Sequence, residues 1–198
     1  MSEPTVQPSP SAPLDQADRR RDQRAWCWYD WANSVFPTSI ITVFLSLYLT
    51  TVARNDALAA GQRCLTRNAL VDCNISLFGL GFPAGSLFDY LLAASTLLQV
   101  LVLPLTGAIA DRTQHKRRML GFFALIGAGA TALLALVTGT NWRLGVVLFI
   151  VATTGYYASV VIYYSVLPEI ATADERDGLS SRGWAFGFLG GGIALAVN

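Results

Sequence analysis

The chain has 198 residues, of which 53% are hydrophobic and only 14% are charged, whereas an ordinary soluble domain has about 25% charged residues. Its formal net charge of +1 provides no basic surface of the kind that binds nucleic acid. This composition argues against a soluble enzyme, a disulfide-rich secreted domain, a disordered chain and a nucleic-acid-binding protein.

Five stretches contain no Asp, Glu, Lys or Arg, and they cover residues 31–53, 90–110, 119–142, 144–168 and 183–198. A helix that crosses a lipid bilayer needs about 20 consecutive, mostly apolar residues. The first four stretches reach that length, and the fifth is shorter. We therefore predict an all-α, polytopic transmembrane helical bundle in residues 25–198, with spans at about 32–53, 88–110, 119–138 and 144–167 and an incomplete fifth span at 183–198.

The ends of the predicted spans indicate their orientation. Residues 1–24 lack any apolar periodicity, which predicts a disordered tail. Short loops that are rich in Lys and Arg stay on the cytoplasmic side, and alternate connections place ten basic residues on one side and four on the other. The pattern predicts a cytoplasmic N-terminus, and the Arg-rich composition with short loops favours a bacterial plasma membrane.

The longest outer connection, residues 54–89, contains Cys64 and Cys73. On the oxidising side of a membrane these two cysteines either form a disulfide or remain free, and the sequence leaves both open. Residues 75–85 are apolar but are interrupted by Gly and Pro, which favours an interfacial segment over a further span.

The sequence shows no catalytic constellation. His115 is the only histidine and lies in a basic loop, so neither a histidine-based metal cluster nor a catalytic triad can be assembled. We therefore expect no enzymatic activity, no cofactor and no metal site.

The segment from Gly107 to Arg118 leaves the second span and enters the third. A glycine one turn before Asp111 allows a neighbouring helix to approach closely, and a carboxylate at the membrane edge can cap a helix or pair with arginine. Arg112, Lys116 and Arg117 hold the turn on the cytoplasmic side. The alternative interpretation is an ordinary basic cytoplasmic loop, which requires neither Gly107 nor Asp111.

This segment resembles the signature of the major facilitator superfamily, Gly-x-Leu-Ala-Asp-Arg-x-Gly-Arg-Lys. Gly107, Ala110, Asp111, Arg112 and Lys116 match it in register, while Gln114 and His115 depart from it. Residues 28–34, 167–171 and 179–192 resemble the branch that includes the autophagy-related vacuolar amino-acid effluxers and their bacterial relatives.

The resemblance implies a fold of two six-span halves with the substrate bound between them, of which this chain would be the N-terminal portion and the C-terminal half a missing partner. It also implies a loop around Asp111 that latches the halves in one state. A small solute, such as an amino acid, together with a coupling ion would be the cargo.

Polar residues near the start of span one are candidates for a gate or cavity. Asp30 and Asn33 lie where the span is predicted to begin, so they either cap its N-terminus or contact a cytoplasmic gate. Thr38 and Thr42 lie at helical spacing within the span and either line a polar cavity or bond to their own backbone.

Spans four and five provide the remaining candidates. In span four, substrate contact would be made by tyrosine hydroxyls and rings: Tyr156, Tyr157 and Tyr164. In span five, three glycines recur at intervals of four and favour close helix packing: Gly183, Gly187 and Gly191.

These observations predict a secondary active transporter of a small solute that works by alternating access, in the form of a truncated N-terminal portion. The alternative is a non-transporting membrane scaffold or assembly partner. The sequence encodes neither the substrate nor the direction of transport.

Overall fold

A computed structural model describes residues 16–62, 64–66, 69–70, 73–77 and 79–197. Six α-helices follow one another along the chain: α1 (Gln16–Asn33), α2 (Leu45–Ala59), α3 (Leu87–Arg112), α4 (Lys116–Leu133), α5 (Trp142–Ile170) and α6 (Ala173–Val197). Within these described ranges, four helical stretches are able to cross a membrane by length and composition: Gln16–Ala59, Ala84–Arg112, Lys116–Leu136 and Trp142–Ile170. The predicted all-α transmembrane bundle is confirmed.

The prediction of a disordered tail as far as Arg24 is wrong for residues 16–24, because α1 begins at Gln16. The polar first turns of α1 pack on the ends of α5 and α6. The Arg19 guanidinium lies 3.4 Å from the Glu175 carboxylate, and the Gln23 amide donates a 2.9 Å hydrogen bond to the carbonyl of Ile170. These tertiary contacts order a segment that has no apolar face of its own. Residues 1–15 of the predicted tail lie outside the described residues.

The other helices also extend beyond the predicted spans. Helix α5 covers Trp142–Ile170 rather than 144–167, and α6 begins at Ala173, ten residues before the predicted 183. Charge-free runs mark only the part of a helix that lies in hydrocarbon, whereas the helix itself continues into the polar headgroup layer. The fifth predicted span is therefore the apolar end of a longer helix.

The first span is not a continuous α-helix. Residues Phe36–Phe44 between α1 and α2 form a π-helix with Pro37 in its first turn. Two hydroxyls bond to backbone carbonyls here: Thr42 donates to Pro37 at 2.8 Å and Thr38 donates to Ser34 at 2.8 Å. Because proline lacks an N–H and disturbs the backbone ladder, these hydroxyls supply hydrogen bonds within the wider turns.

The outer connection folds into two antiparallel hairpins. Strands β1 (Leu65–Thr66) and β2 (Ala69–Leu70) pair, as do β3 (Asn74–Leu77) and β4 (Leu80–Pro83). Gly79 has a φ of 83° at the second turn, a conformation that favours glycine. A disulfide joins Cys64 to Cys73, which settles the alternative left open by the sequence. The apolar segment expected at the interface is thus largely the second hairpin.

The buried core divides into an outer and an inner cluster. The outer cluster surrounds Trp142, which is fully buried with Leu49 and Phe149; the Trp142 indole N–H donates a 2.8 Å hydrogen bond to the Asp56 carboxylate. The inner cluster contains Trp26, whose ring stacks on Tyr163 with ring centroids 4.2 Å apart. The two clusters stabilise opposite ends of the bundle.

Glycines set the closest helix contacts. A Cβ placed on Gly155 of α5 would lie 2.8 Å from the backbone nitrogen of Gly127 in α4. The three predicted glycines of α6 pack on the first span: Gly183 against Trp26, Gly187 against Asp30 and Gly191 against Thr38. The glycines of α6 therefore leave room for side chains of the first span to lie directly against this helix.

Candidate functional site

A cavity of about 400 Å³ lies between the first span, α5 and α6. Its wall contains six of the residues singled out in the sequence, together with residues that were not: Asp30, Ser34, Pro37, Thr38, Tyr156, Tyr164, Trp184, Gly187, Phe188, Gly191, Gly192 and Leu195. We call this space the α1–α5–α6 cavity. Three sequence-distant helices thus form one polar and aromatic pocket in an otherwise apolar bundle.

Asp30 provides the one charged side chain of this wall. It lies inside α1, well after the start of the helix at Gln16, so the N-terminal capping interpretation is wrong. Its carboxylate is half-buried against α6, where a Cβ on Gly187 would lie 2.6 Å from Oδ2 of Asp30. Glycine at position 187 leaves the space that the carboxylate occupies.

No Lys, Arg or His among the described residues forms an ion pair with Asp30; the ion pairs that the described part of the chain contains involve other acidic residues. A half-buried carboxylate without a cation is unusual, because burial disfavours an uncompensated charge. Asp30 therefore has unused capacity to bind a positive group in the cavity.

Hydroxyls and aromatic rings form the rest of the polar wall. Thr38 uses its hydroxyl hydrogen on the carbonyl of Ser34, so its oxygen remains an acceptor. The Tyr156 ring packs on Phe36 with centroids 5.0 Å apart, and the Tyr164 ring packs on Tyr163 at 5.1 Å. These ring contacts fix the aromatic side of the cavity.

Three predicted candidates are not part of this wall. Asn33 lies on another face of α1 and lines a second cavity of about 380 Å³ next to α4. Thr42 is exposed and bonds to the carbonyl of Pro37, as the alternative interpretation of its hydroxyl expected. Tyr157 packs edge-on against Tyr156 at 4.9 Å but does not line the α1–α5–α6 cavity. Helical spacing therefore selected the correct span but not always the correct face.

The sequence analysis missed Ser34 and Trp184 as cavity residues. Ser34 follows Asp30 by four positions and Trp184 precedes Gly187 by three, so each lies on the same helix face as its predicted neighbour. A spacing of three or four residues could therefore have predicted both side chains. The sequence analysis used this spacing for the glycines but not for these two residues.

The cytoplasmic loop motif separates into two parts. Asp111 and Arg112 are exposed at the end of α3. In contrast, Lys116 lies 2.8 Å from the Glu169 carboxylate and donates to the carbonyl of Ser165 at 3.1 Å, while Arg117 forms an ion pair with Asp22. The second half of the motif thus holds α4 against α5 and α1, and the first half faces outward.

Gly107 does not make the close approach that we expected. A Cβ at this position would lie 3.5 Å from Cγ1 of Val161, which is an ordinary van der Waals distance. Besides the predicted glycines of α6, Gly127 and Gly155 make close contacts with the backbone of a neighbouring helix, and the sequence analysis did not select these two.

Glu175 closes the same end of the bundle. Its Oε2 accepts a 3.2 Å hydrogen bond from the backbone N–H of Thr172, and its Oε1 faces Arg19. The backbone hydrogen bond, followed by the Arg19 charge, lowers the pKa of the Glu175 carboxyl below its ordinary value. Glu175 therefore stays ionised and caps the start of α6.

The described residues contain no group of three or more His, Cys, Asp or Glu side chains that could hold a metal ion. The chemistry available to the cavity consists of one carboxylate, hydroxyls and aromatic faces. These groups bind and orient a solute rather than activate a nucleophile.

Comparison with known proteins identifies the family. Residues 18–198 match the family described as vacuole effluxer Atg22 like. The chain belongs to this family. The match covers almost all of the described bundle.

Relatives of the Atg22-like chain come from bacteria and fungi. It is 24% identical over 178 residues to the uncharacterized MFS-type transporter YxiO of Bacillus subtilis, a match that covers 90% of this chain and 37% of the relative. It is 28% identical over 156 residues to autophagy-related protein 22 of Gibberella zeae, covering 75% of this chain and 24% of the relative. The protein of the same name from Yarrowia lipolytica is 34% identical over 110 residues, covering 56% and 18%.

The Atg22-like chain thus spans less than two fifths of the length of these curated relatives. No solved structure gives a significant match. The family nevertheless confirms the resemblance drawn from residues 28–34, 167–171 and 179–192, and it identifies the chain as an integral membrane protein of a transporter family.

Proposed function

We propose that this Atg22-like chain takes part in the secondary active transport of a small solute, with amino acids as the first candidates, by alternating access. The observation that carries the proposal is the α1–α5–α6 cavity, which places a carboxylate and several hydroxyls within membrane-spanning helices. Polar groups that face the interior of a membrane bundle cost free energy and are typical of substrate or ion pathways. The description of the family as vacuole effluxer Atg22 like supports an efflux role.

Alternating access requires a second set of spans that faces this bundle. We propose that these spans come from the rest of a longer polypeptide or from a second chain, since the curated relatives are much longer than the match. The exposed Asp111 and Arg112 are the groups that would contact that second bundle at the inner end. Lys116 and Arg117 are already engaged within this one.

The arrangement of ion pairs supports a cytoplasmic N-terminus. Arg19, Lys116 and Arg117 form ion pairs at the same end of the bundle, whereas Arg143 lies 3.8 Å from Asp56 at the opposite end. The more basic end corresponds to the cytoplasmic side. A bacterial plasma membrane is the proposed location, and protease accessibility of the N-terminus in intact cells against inverted vesicles tests the orientation.

Counterflow in proteoliposomes tests the proposed activity without knowledge of the coupling ion. Vesicles containing the full chain are preloaded with unlabelled amino acids and placed in a radiolabelled amino-acid mixture. We expect the label to accumulate transiently in these vesicles but not in empty ones, which contain the same protein without preloaded amino acids. Equal uptake by loaded and empty vesicles would overturn the transport proposal and favour a scaffold role.

The matched variants Asp111→Ala and Asp89→Ala test the role of the loop. Both residues are exposed carboxylates, one at each end of α3. We expect Asp111→Ala to slow counterflow and Asp89→Ala to leave it near the wild-type rate. Asp56 is unsuitable as a control because it accepts the hydrogen bond of the buried Trp142. Equal rates for the two variants would remove Asp111 from the mechanism.

A further inference from the structure

The chemistry of the α1–α5–α6 cavity indicates which class of solute it binds. We propose that it is a site for an organic ammonium group, with the Asp30 carboxylate as the counter-ion and the aromatic side chains of Tyr156, Tyr164 and Trp184 as the surrounding wall. The proposal rests on the proposed function in that both use the same cavity, but it concerns binding and can be tested without transport.

Charge is the first argument. Asp30 is the only charged residue in the cavity wall, and within the described ranges it has no cationic partner. The carboxylate cannot withdraw towards α6, because Gly187 and the helix backbone already lie against it. The group that neutralises it must come from the open side of the cavity, so a cation is favoured over an anion or a neutral sugar.

The aromatic wall is the second argument. Tyr156, Tyr164 and Trp184 come from two different helices and line the same space as the carboxylate. The faces of tyrosine and tryptophan rings attract cations, and they bind alkylated ammonium groups more readily than they bind strongly hydrated metal ions. A carboxylate surrounded by hydroxyls alone would suit a small inorganic cation, whereas a carboxylate beside three aromatic rings suits an organic one.

Size is the third argument. A volume of about 400 Å³ falls within the range of small-molecule sites, about 300–1,000 Å³, and greatly exceeds what a bare monovalent ion needs. Ser34 and Thr38 add hydroxyl groups next to the carboxylate, which allows a hydrogen bond to a polar group attached to the same solute. The α-ammonium group of an amino acid and the ammonium of a choline-like solute both belong to this class.

The test compares two probes of nearly the same shape that differ in charge. Binding of radiolabelled choline to the full chain is measured by scintillation proximity in nanodiscs of phosphatidylglycerol, with 3,3-dimethylbutan-1-ol as the uncharged isostere in competition. We expect choline to bind saturably and the isostere to compete at least about tenfold more weakly, since it lacks the charge. Competition by the isostere at equal concentration, or no saturable choline binding, would overturn the ammonium site.

Variants assign the binding to the residues of the cavity. We expect Asp30→Asn, which keeps the shape of the side chain, to weaken choline binding about tenfold or more, with Asp89→Asn as a matched control that leaves it unchanged. Tyr164→Leu is the second variant; this ring is partly exposed, so its loss leaves the fold intact while it weakens binding. Wild-type affinity in both Asp30→Asn and Tyr164→Leu would overturn the assignment.

The same ammonium group occurs in soluble solutes and in lipid headgroups. Replacing half of the phosphatidylglycerol by phosphatidylcholine distinguishes them, because a lipid-binding cavity would lose choline binding whereas a solute site would keep it. The outcome is also independent of counterflow. Choline binding without transport would leave the ammonium site in place and refute the proposed function, while transport of amino acids without Asp30-dependent binding would do the reverse.

Discussion

The contact between α4 and α5 makes a sharp prediction about a single methyl group. A Cβ on Gly155 would lie 2.8 Å from the nitrogen and 3.0 Å from the Cα of Gly127, and 3.1 Å from the carbonyl oxygen of Phe123. All three atoms belong to the backbone of α4, so no side-chain rotation can relieve the overlap. Gly155→Ala therefore requires the two helices to separate.

The magnitude follows from these distances. Ordinary carbon contacts begin at about 3.5 Å, so the helices would have to move apart by roughly half an ångström along much of their interface. Overpacking of this kind costs about 1–3 kcal/mol, while alanine gains about 0.5–1 kcal/mol over glycine in a helix. We expect a net destabilisation of about 1–2 kcal/mol, or a fall in Tm of about 2–8 °C for a chain of this size.

The assay is thermal unfolding of the detergent-purified chain, with Gly129→Ala as the control. Gly129 lies in the same helix, α4, but it is exposed and a Cβ there meets no atom within 4 Å. We expect Gly129→Ala to melt at or above the wild-type temperature and Gly155→Ala to melt below it. If Gly155→Ala melts no lower than Gly129→Ala, the reasoning from backbone contact is refuted.

Three further predictions concern the remaining contacts. Trp142→Phe removes the 2.8 Å hydrogen bond to Asp56 and should lower the free energy of unfolding by about 1.5–3 kcal/mol, measured by the same melts; an unchanged Tm would contradict it. Gly187→Ala places a methyl group 2.6 Å from the cavity carboxylate and should weaken choline binding, whereas Gly178→Ala, at an exposed position of the same helix that lies outside the cavity wall and has no atom within 4 Å, should not. Because the pKa of Glu175 is lowered, its stabilising effect is present at neutral pH and is lost as the pH falls through that lowered pKa, so the Tm difference between wild type and Glu175→Gln should vanish in acid; a pH-independent difference would exclude this role.

The spans were the most predictable part of the fold. Uncharged runs identify membrane helices because an unpaired charge in hydrocarbon is costly, and the four long runs correspond to the four stretches found in the structure. Their ends were not predictable in the same way. Residues 16–24 are ordered in α1 because groups of α4, α5 and α6 bind its polar side chains, and such tertiary contacts leave no periodic trace in the sequence.

The candidate site was predicted in its composition more than in its geometry. Asp30 was identified from its position at the predicted start of the first span, and Thr38, Tyr156 and Tyr164 from their polarity within apolar runs; all four meet in one cavity. Asn33 does not line this cavity, because the face of a helix that a partner covers depends on where that partner lies. The π-helical turns that follow also alter the simple period of 3.6 residues.

The π-helix at Phe36–Phe44 also sets the rotational angle between the two halves of the first span. Its wider turns hold more residues per turn than an α-helix, so a change of one residue in its length would turn Asp30 by about 100° relative to the outer helix. The outer half, α2, is anchored in the core beneath the disulfide-bonded hairpins. The side of the first span on which Asp30 lies, relative to α2, is therefore set by the length of the π-helix.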